Sequence, residues 1–372
     1  MKKVLLVLSL IVVSSMLFTA CASTAATEAA APAAEEAAPA EETMEEAAPA
    51  EEAAPVGKIC QVTDTGGIDD KSFNALAWAG MEEAATDFGV EIKYLESQQA
   101  SDYEVNINAF IEEGCDLIIS VGYLLADATA AAATANPDQK FAIIDNGNMD
   151  LPNVRGNSTQ IDQGTFLAGY LAAGMSETGK VGTYVGILFP STQAFMDGYA
   201  MGVAYYNSVK GTTVDVLGWD MAEQKGLEAG NFESLDDGRA FGEALMDDGA
   251  DIIMPVAGPV GLGTLAVMSE RDSGLLIGVD SDWSIANPDK ADYILASAAK
   301  KIDVFVYDSI QKVLDGTFTG GEDMVLTLEN GGTGLVYGSA WESQVPDELK
   351  AEVEALKPMI ISGEIATLPV RE

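Results

Sequence analysis

Four short apolar runs in this 372-residue chain end in carboxylates, amides or glycines: Asp64-Thr65-Gly66-Gly67, Asp145-Asn146-Gly147, Ala257-Gly258 and Asp280-Ser281-Asp282. Each carboxylate can accept two or more donor groups. Such a set suits a neutral ligand rich in hydroxyls or ring N–H groups, and it repels phosphate. An Asp ahead of a helix has a second use, as a cap that accepts backbone N–H bonds. Asp69 and Asp70, in the run Asp69-Asp70-Lys71-Ser72-Phe73-Asn74, read as caps, whereas Asp64, Asp145 and Asp280 read as facing a ligand.

Other chemistry is excluded by residue type. The chain has no His, so Ser-His triads, imidazole zinc sites and His general bases are ruled out. The segment 316–323 lacks the lysine and hydroxyl of a phosphate loop, and 328–335 reads as a turn between strands. The acids of 64–70 stand at the first, sixth and seventh positions, which is not calcium-loop spacing, so no metal and no cofactor are expected. Nothing in the spacing of Asp64, Asp145 and Asp280 suggests an acid and base paired across a glycosidic bond, and no enzyme is expected.

The elements that must carry these residues follow a β-α-β rhythm. Apolar runs at 58–66, 91–97, 115–123 and 140–147 alternate with helical stretches near Lys71 to Phe88, Tyr103 to Glu113 and Ala126 to Ala135. The rhythm resumes with runs at 181–188, 214–219, 250–258 and 275–283, separated by helices near Phe195 to Asn207, Asp237 to Asp248 and Gly263 to Glu270. Two such series predict two α/β lobes, each a parallel sheet flanked by helices. Right-handed crossovers then place ligands at the carboxyl ends of the strands.

The amino-terminal residues point to an address. Met1 to Cys21 has two lysines, an apolar run from Val4 to Val13 and the small-residue step Phe18-Thr19-Ala20 before Cys21, the pattern of a lipoprotein leader with Cys21 as the lipidated residue. The apolar run is shorter than the roughly 20 residues of a spanning helix. From Ala22 to Val56 the chain is nearly all Ala, Pro, Glu, Thr and Ser, with nine glutamates and no Lys or Arg. It reads as a solvated tether of roughly 30 Å that lifts the folded part off the lipid. Tether and leader account for only −7 of the net charge of −40, so the folded part is strongly acidic and nucleic acid is not an expected partner. Cys60 and Cys115 open two strands expected to be neighbours; a disulfide or two buried thiols would each account for them.

The segment TDTGGIDDKSFNALAWAGMEEA, Thr63 to Ala84, resembles the opening signature of the basic membrane protein family, lipoproteins related to bacterial purine nucleoside receptors. Segments 230–258, 277–283, 294–310 and 328–335 fit the same family in the same order. The resemblance implies a type I periplasmic-binding-protein fold: two Rossmann-like lobes of parallel sheet, joined by a three-strand hinge, delivering a nucleoside to an ABC importer. It implies ligand contacts from Asp64, Phe73 and Asn74, from Asp145 at the base edge, and from Phe232 on the second face of the base. Gly258 would allow close backbone approach, and Asp280 with Lys300 would hold ribose hydroxyls, Lys301 being the alternative if the register shifts by one. Phe195 and Trp219 are weaker candidates, since both also fit packing between helix and sheet. The stretch Trp219 to Ala229 looks longer than the family pattern.

The organisation expected is therefore a leader over 1–21, a tether over 22–56, a first lobe of 57–161 with 284–318, and a second lobe of 162–283 with 319–372. Hinge strands are expected near Asn157 to Ile161, Trp283 to Ile285 and Gly316 to Gly320. Closure of the two lobes on the ligand is the expected mechanism, read by a permease, in a monomer anchored outside the cytoplasm. A sugar or furanone ligand on the same fold, or a membrane sensor in place of the permease, are the other readings.

Overall fold

The computed structural model describes residues 57–147 and 149–370. Cys21, the leader and the tether lie outside these described residues. In the first lobe, β1 (Lys58–Val62), α1 (Phe73–Phe88), β2 (Glu91–Leu95), α2 (Ser101–Glu113), β3 (Leu117–Val121), α3 (Ala126–Ala135), β4 (Lys140–Ile144) and β5 (Val154–Thr159) alternate as expected. The second lobe continues with α4 (Ile161–Met175), β6 (Lys180–Val185), α5 (Pro190–Lys210), β7 (Asp215–Leu217), a small hairpin of β8 (Trp219–Asp220) and β9 (Lys225–Gly226), and α6 (Leu235–Asp247). It then adds β10 (Ile252–Val256), α7 (Gly261–Arg271), β11 (Leu275–Asp280), α8 (Trp283–Ala286) and β12 (Ile294–Lys300). The chain returns for α9 (Ile302–Leu314) and β13 (Asp323–Leu326), and ends with β14 (Thr333–Tyr337) and α10 (Asp347–Ile361).

Two six-stranded sheets result, in the orders β13-β5-β4-β3-β1-β2 and β14-β12-β11-β10-β6-β7. Every pairing in them is parallel except that of β12 with β14. The central strands β3 and β10 are buried along their whole length, as parallel strands covered on both faces must be. In the first lobe α1 and α9 pack one face of the sheet, where Ala77, Met81, Phe305 and Val306 meet Ile59, Leu117 and Ala142. Helices α2 and α3 cover the other face, through Tyr103, Ile107 and Phe110 against Cys60, Ile118 and Phe141.

Three crossovers join the lobes: at Gln160 between β5 and α4, at Lys301 between β12 and α9, and over 327–332 between β13 and β14. The first falls in the stretch expected of it, and the other two do not. Residues 284–300, expected in the first lobe, hold α8 and β12, and β12 pairs with β11 in the second sheet. Residues 323–326, expected in the second lobe, form β13 and pair with β5 in the first. The physical reason lies in β12 and β13 themselves: each adds a strand to the sheet beside it before the chain crosses, so each hinge comes one strand later than the apolar runs suggested.

Of the two possibilities open for Cys60 and Cys115, the structure has the disulfide, which joins Cys60 of β1 to Cys115, two residues ahead of the neighbouring β3, with Cα atoms 6.0 Å apart. It closes a loop of 55 residues. Cross-linking that loop in the unfolded chain is worth about 4 kcal/mol on the chain-entropy account. A double Cys60→Ala, Cys115→Ala variant should lose that much in a urea titration, and a loss under about 1 kcal/mol would contradict it.

Candidate functional site

The strand ends meet between the lobes at a cavity of about 580 Å³, its mouth included. Asp64 lies just beyond β1, Asp145 just beyond β4, Gly258 two residues past β10, and Asp280 ends β11. Phe73 and Asn74 open α1, Phe195 lies in the second turn of α5, Phe232 precedes α6, and Lys300 ends β12. All nine residues singled out from sequence line this one cavity. Lys301, the alternative to Lys300, is exposed at the second crossover. Trp219 does not line the cavity; it is buried and donates its indole N–H to Asp197 at 3.0 Å.

Asp145 and Asp280 occupy equivalent places in the two sheets, since β4 and β11 are third in their respective strand orders. Both hold left-handed backbone, with φ of 59° and 66°. That conformation is uncommon without glycine and is kept where surrounding structure over-determines it, often at functional sites. Between the two carboxylates stands Lys300, whose ammonium bonds Asp145 at 2.7 Å and lies 3.7 Å from Asp280. It also sits 5.3 Å from the Phe73 ring centre and 4.9 Å from that of Phe195. All three charged side chains are at most 9% exposed, so the ammonium offsets a desolvation cost that two bare carboxylates could not bear. One oxygen of Asp145 and the side-chain oxygen of Asn74 remain buried with no hydrogen-bond partner in the protein.

Asp64 accepts from the Asn74 side-chain amide at 2.7 Å and from the Gly66 N–H at 3.0 Å. Burial raises its carboxyl above the usual carboxylate range, and those two bonds oppose the shift. Asp70 behaves as the cap the sequence suggests, accepting the N–H groups of Ser72, Asn74 and Ala75 at 2.8–2.9 Å, though it too reaches the cavity lining. Burial still pushes it to about 7. Asp280 is raised to about 6, chiefly by burial, with Lys300 lowering it and Asp145 raising it.

Sequence reasoning missed Tyr123, Phe189, Thr192 and Pro259, which also line the cavity. Tyr123 and Phe189 stand just beyond β3 and β6, so an aromatic following a strand end was the available signal. Phe232 is seated by a glycine: a Cβ on Gly186 would lie 2.5 Å from the Phe232 ring. At Gly258 φ is 52° and open space lies where a side chain would stand, which keeps the cavity wall to backbone there.

Contacts between the lobes surround the cavity. The Ser72 hydroxyl lies 3.1 Å from the Val279 carbonyl and 3.2 Å from Asp280, and the Ser281 hydroxyl donates to the Lys71 carbonyl at 3.1 Å. Two doubly wound lobes, three crossovers and a cavity at the facing strand ends define a bilobed solute-binding protein of the type I periplasmic class. Residues 58–368 match the family described as ABC transporter substrate-binding protein, PnrA-like, and the chain belongs to that family. It is 32% identical over 330 residues to the ABC transporter nucleoside-binding protein BmpA of Lactococcus lactis, covering 84% of this chain and 89% of that one. It is 33% identical over 319 residues to basic membrane protein A of Borreliella burgdorferi, covering 83% and 87%. Among solved structures, an ABC transporter solute-binding protein of Aeropyrum pernix superposes with a TM-score of 0.74 at 27% identity, covering 83% and 92%.

Proposed function

We propose that this substrate-binding protein captures a nucleoside, a purine nucleoside foremost, and presents it to an ABC importer from a lipid anchor at Cys21 outside the cytoplasm. One observation carries the ligand class: Phe73 from the first lobe and Phe232 from the second line the same cavity as three buried carboxylates and one buried ammonium. A planar base held by rings gains stacking and leaves water. Asp145, with one oxygen unpartnered, is placed to accept from the base edge. Asp280 and Lys300 together offer an acceptor and a donor, the pairing that vicinal ribose hydroxyls need. Asp64 and Asn74 supply further polar contacts from the first lobe. The name of the Lactococcus relative adds support for a nucleoside.

Closure follows from this division of contacts. A ligand that touches both lobes favours the shut form by its differential affinity for it, and the shut form is what a permease would read. Phosphate finds carboxylates and only one ammonium, already paired, so a nucleoside 5′-monophosphate should bind at least about a hundredfold more weakly than its nucleoside. Titrating both into the protein tests this, and equal affinity would refute the assignment of the carboxylates.

Affinity should also depend on pH. Hydroxyl donors favour ionised Asp280, so below its value of about 6 binding must expel a proton. Nucleoside affinity is therefore expected to fall by up to about tenfold per unit as pH drops from 6 to 5, and to level off above 7. In the free protein the same shift costs stability as pH rises from 3.8 through 6, because the unfolded chain releases that proton first. Calorimetric titrations from pH 5 to 8 read the first effect, and affinity unchanged over that range would remove Asp280 from the contact.

A further inference from the structure

Tyr123 lies beyond β3 in the first lobe and Phe189 lies at the start of α5 in the second, yet their rings stack with centroids 5.1 Å apart and 14° between planes. Both residues line the cavity, and Tyr123 remains 38% exposed. The stack therefore stands at the mouth, between the ligand space and solvent. Phe189 is held firmly from its own side. Its N–H donates to the Thr192 hydroxyl at 3.0 Å, and the N–H of Leu188 donates to the Glu228 carboxylate at 3.0 Å. Its ring also meets Phe232 at 6.1 Å and 60°.

Glu228 belongs to the stretch 219–229 that looked long for the family. In the structure that stretch is the β8–β9 hairpin and a segment alongside the end of β6, where the Val185 N–H donates to the Leu227 carbonyl and the Val185 carbonyl accepts from the Ala229 N–H, both at 2.9 Å. This stretch thus positions one ring of the mouth, through the bond from Leu188 to Glu228.

We infer that Tyr123 and Phe189 form an aromatic latch across the lobes that governs how long the cavity stays shut. A ring contact between lobes exists only in the shut form, so whatever it contributes slows opening, and because both rings also line the cavity the opening rate without ligand is the reading that isolates it. Aromatic pairs contribute enough to alter a rate by about tenfold. The Ser72 and Ser281 bonds also tie the lobes, but a hydroxyl released there regains its bond from water, whereas parted rings regain nothing. The edge contact of Phe189 with Phe232 links the latch to the proposed base-stacking ring, and this part alone rests on the nucleoside proposal.

The test needs a readout that does not depend on ligand identity. Dyes placed on exposed Val105 of α2 and Val209 of α5, one on each lobe, would report opening by single-molecule energy transfer in ligand-free protein. Tyr123→Ala and Phe189→Ala should each raise the opening rate about tenfold, and Tyr123→Phe, which keeps the ring, should stay within twofold of the parent. In stopped-flow experiments with guanosine the dissociation rate should rise by the same factor, and the association rate much less. Opening rates unchanged in both alanine variants, equal acceleration by Tyr123→Phe, or a parent protein that never visits the shut form without ligand would overturn the latch. Failure of guanosine to bind, with the opening rates as expected, would count against the nucleoside and leave the latch standing.

Discussion

Replacing Lys300 with methionine is expected to cost about 3–5 kcal/mol of stability at pH 7 and to abolish measurable nucleoside binding. The side chain is 2% exposed, and its ammonium lies 2.7 Å from Asp145 and 3.7 Å from Asp280. Methionine fills much of the same volume, so the loss is not one of packing. What remains is two carboxylates, both buried, with no cation between them. Such a pair relieves itself by taking up protons, so the destabilisation should shrink as pH falls to 5. Urea titrations of the parent and variant at both pH values measure this. A loss under about 1 kcal/mol at pH 7 would mean that Lys300 is not the counter-charge of the site.

The second large effect concerns Phe232. Phe232→Ala should weaken nucleoside binding by about a hundredfold or more, because the base loses one stacked face and water enters in its place. Stability should change little, since Phe232 is only partly buried and lies outside the main apolar clusters. Gly186 provides an independent check. A Cβ there would meet the ring at 2.5–2.6 Å and the Asn231 carbonyl at 2.8 Å, so Gly186→Ala should displace Phe232 and reproduce part of the affinity loss without deleting the ring. Full affinity in both variants, measured by calorimetry on folded protein, would take Phe232 out of the site.

How far the sequence reached depends on where each residue gets its neighbours. Asp64, Asp145, Gly258 and Asp280 were readable because a parallel sheet brings the ends of all its strands to one edge, whatever the details of packing. Tyr123 and Phe189 were not, because their contact joins two lobes across 66 residues and neither sheet implies it. Helix α4 left no clear period, since twelve of its residues are buried and a helix covered all round shows no polar stripe. Strand β12 was hidden differently. Its run of Ala296, Ser297, Ala298 and Ala299 has low strand propensity, and only its place between β11 and β14 makes it a strand. That one omission moved the second hinge from the neighbourhood of Trp283 to Lys301. Strand β13 is short and follows a glycine-rich turn, and missing it moved the third hinge from 316–320 to 327–332.

The cysteine pair shows where geometry must decide. Neighbouring parallel strands can hold two thiols or one disulfide equally well in sequence terms; the structure has the bond, across a Cα separation of 6.0 Å that permits it. The ligand is a similar case. Carboxylates at strand ends speak for donors on the ligand, while the choice between base and sugar turns on rings that come from both lobes.

The most direct test of the account is a calorimetric titration of the purified protein with guanosine, adenosine, inosine, cytidine, ribose and galactose. One nucleoside bound per chain, tightly and with purines ahead of cytidine, and no heat from either sugar, is the expected result. Binding of ribose or galactose in place of every nucleoside would contradict the proposed ligand, while leaving the fold and the family where they stand.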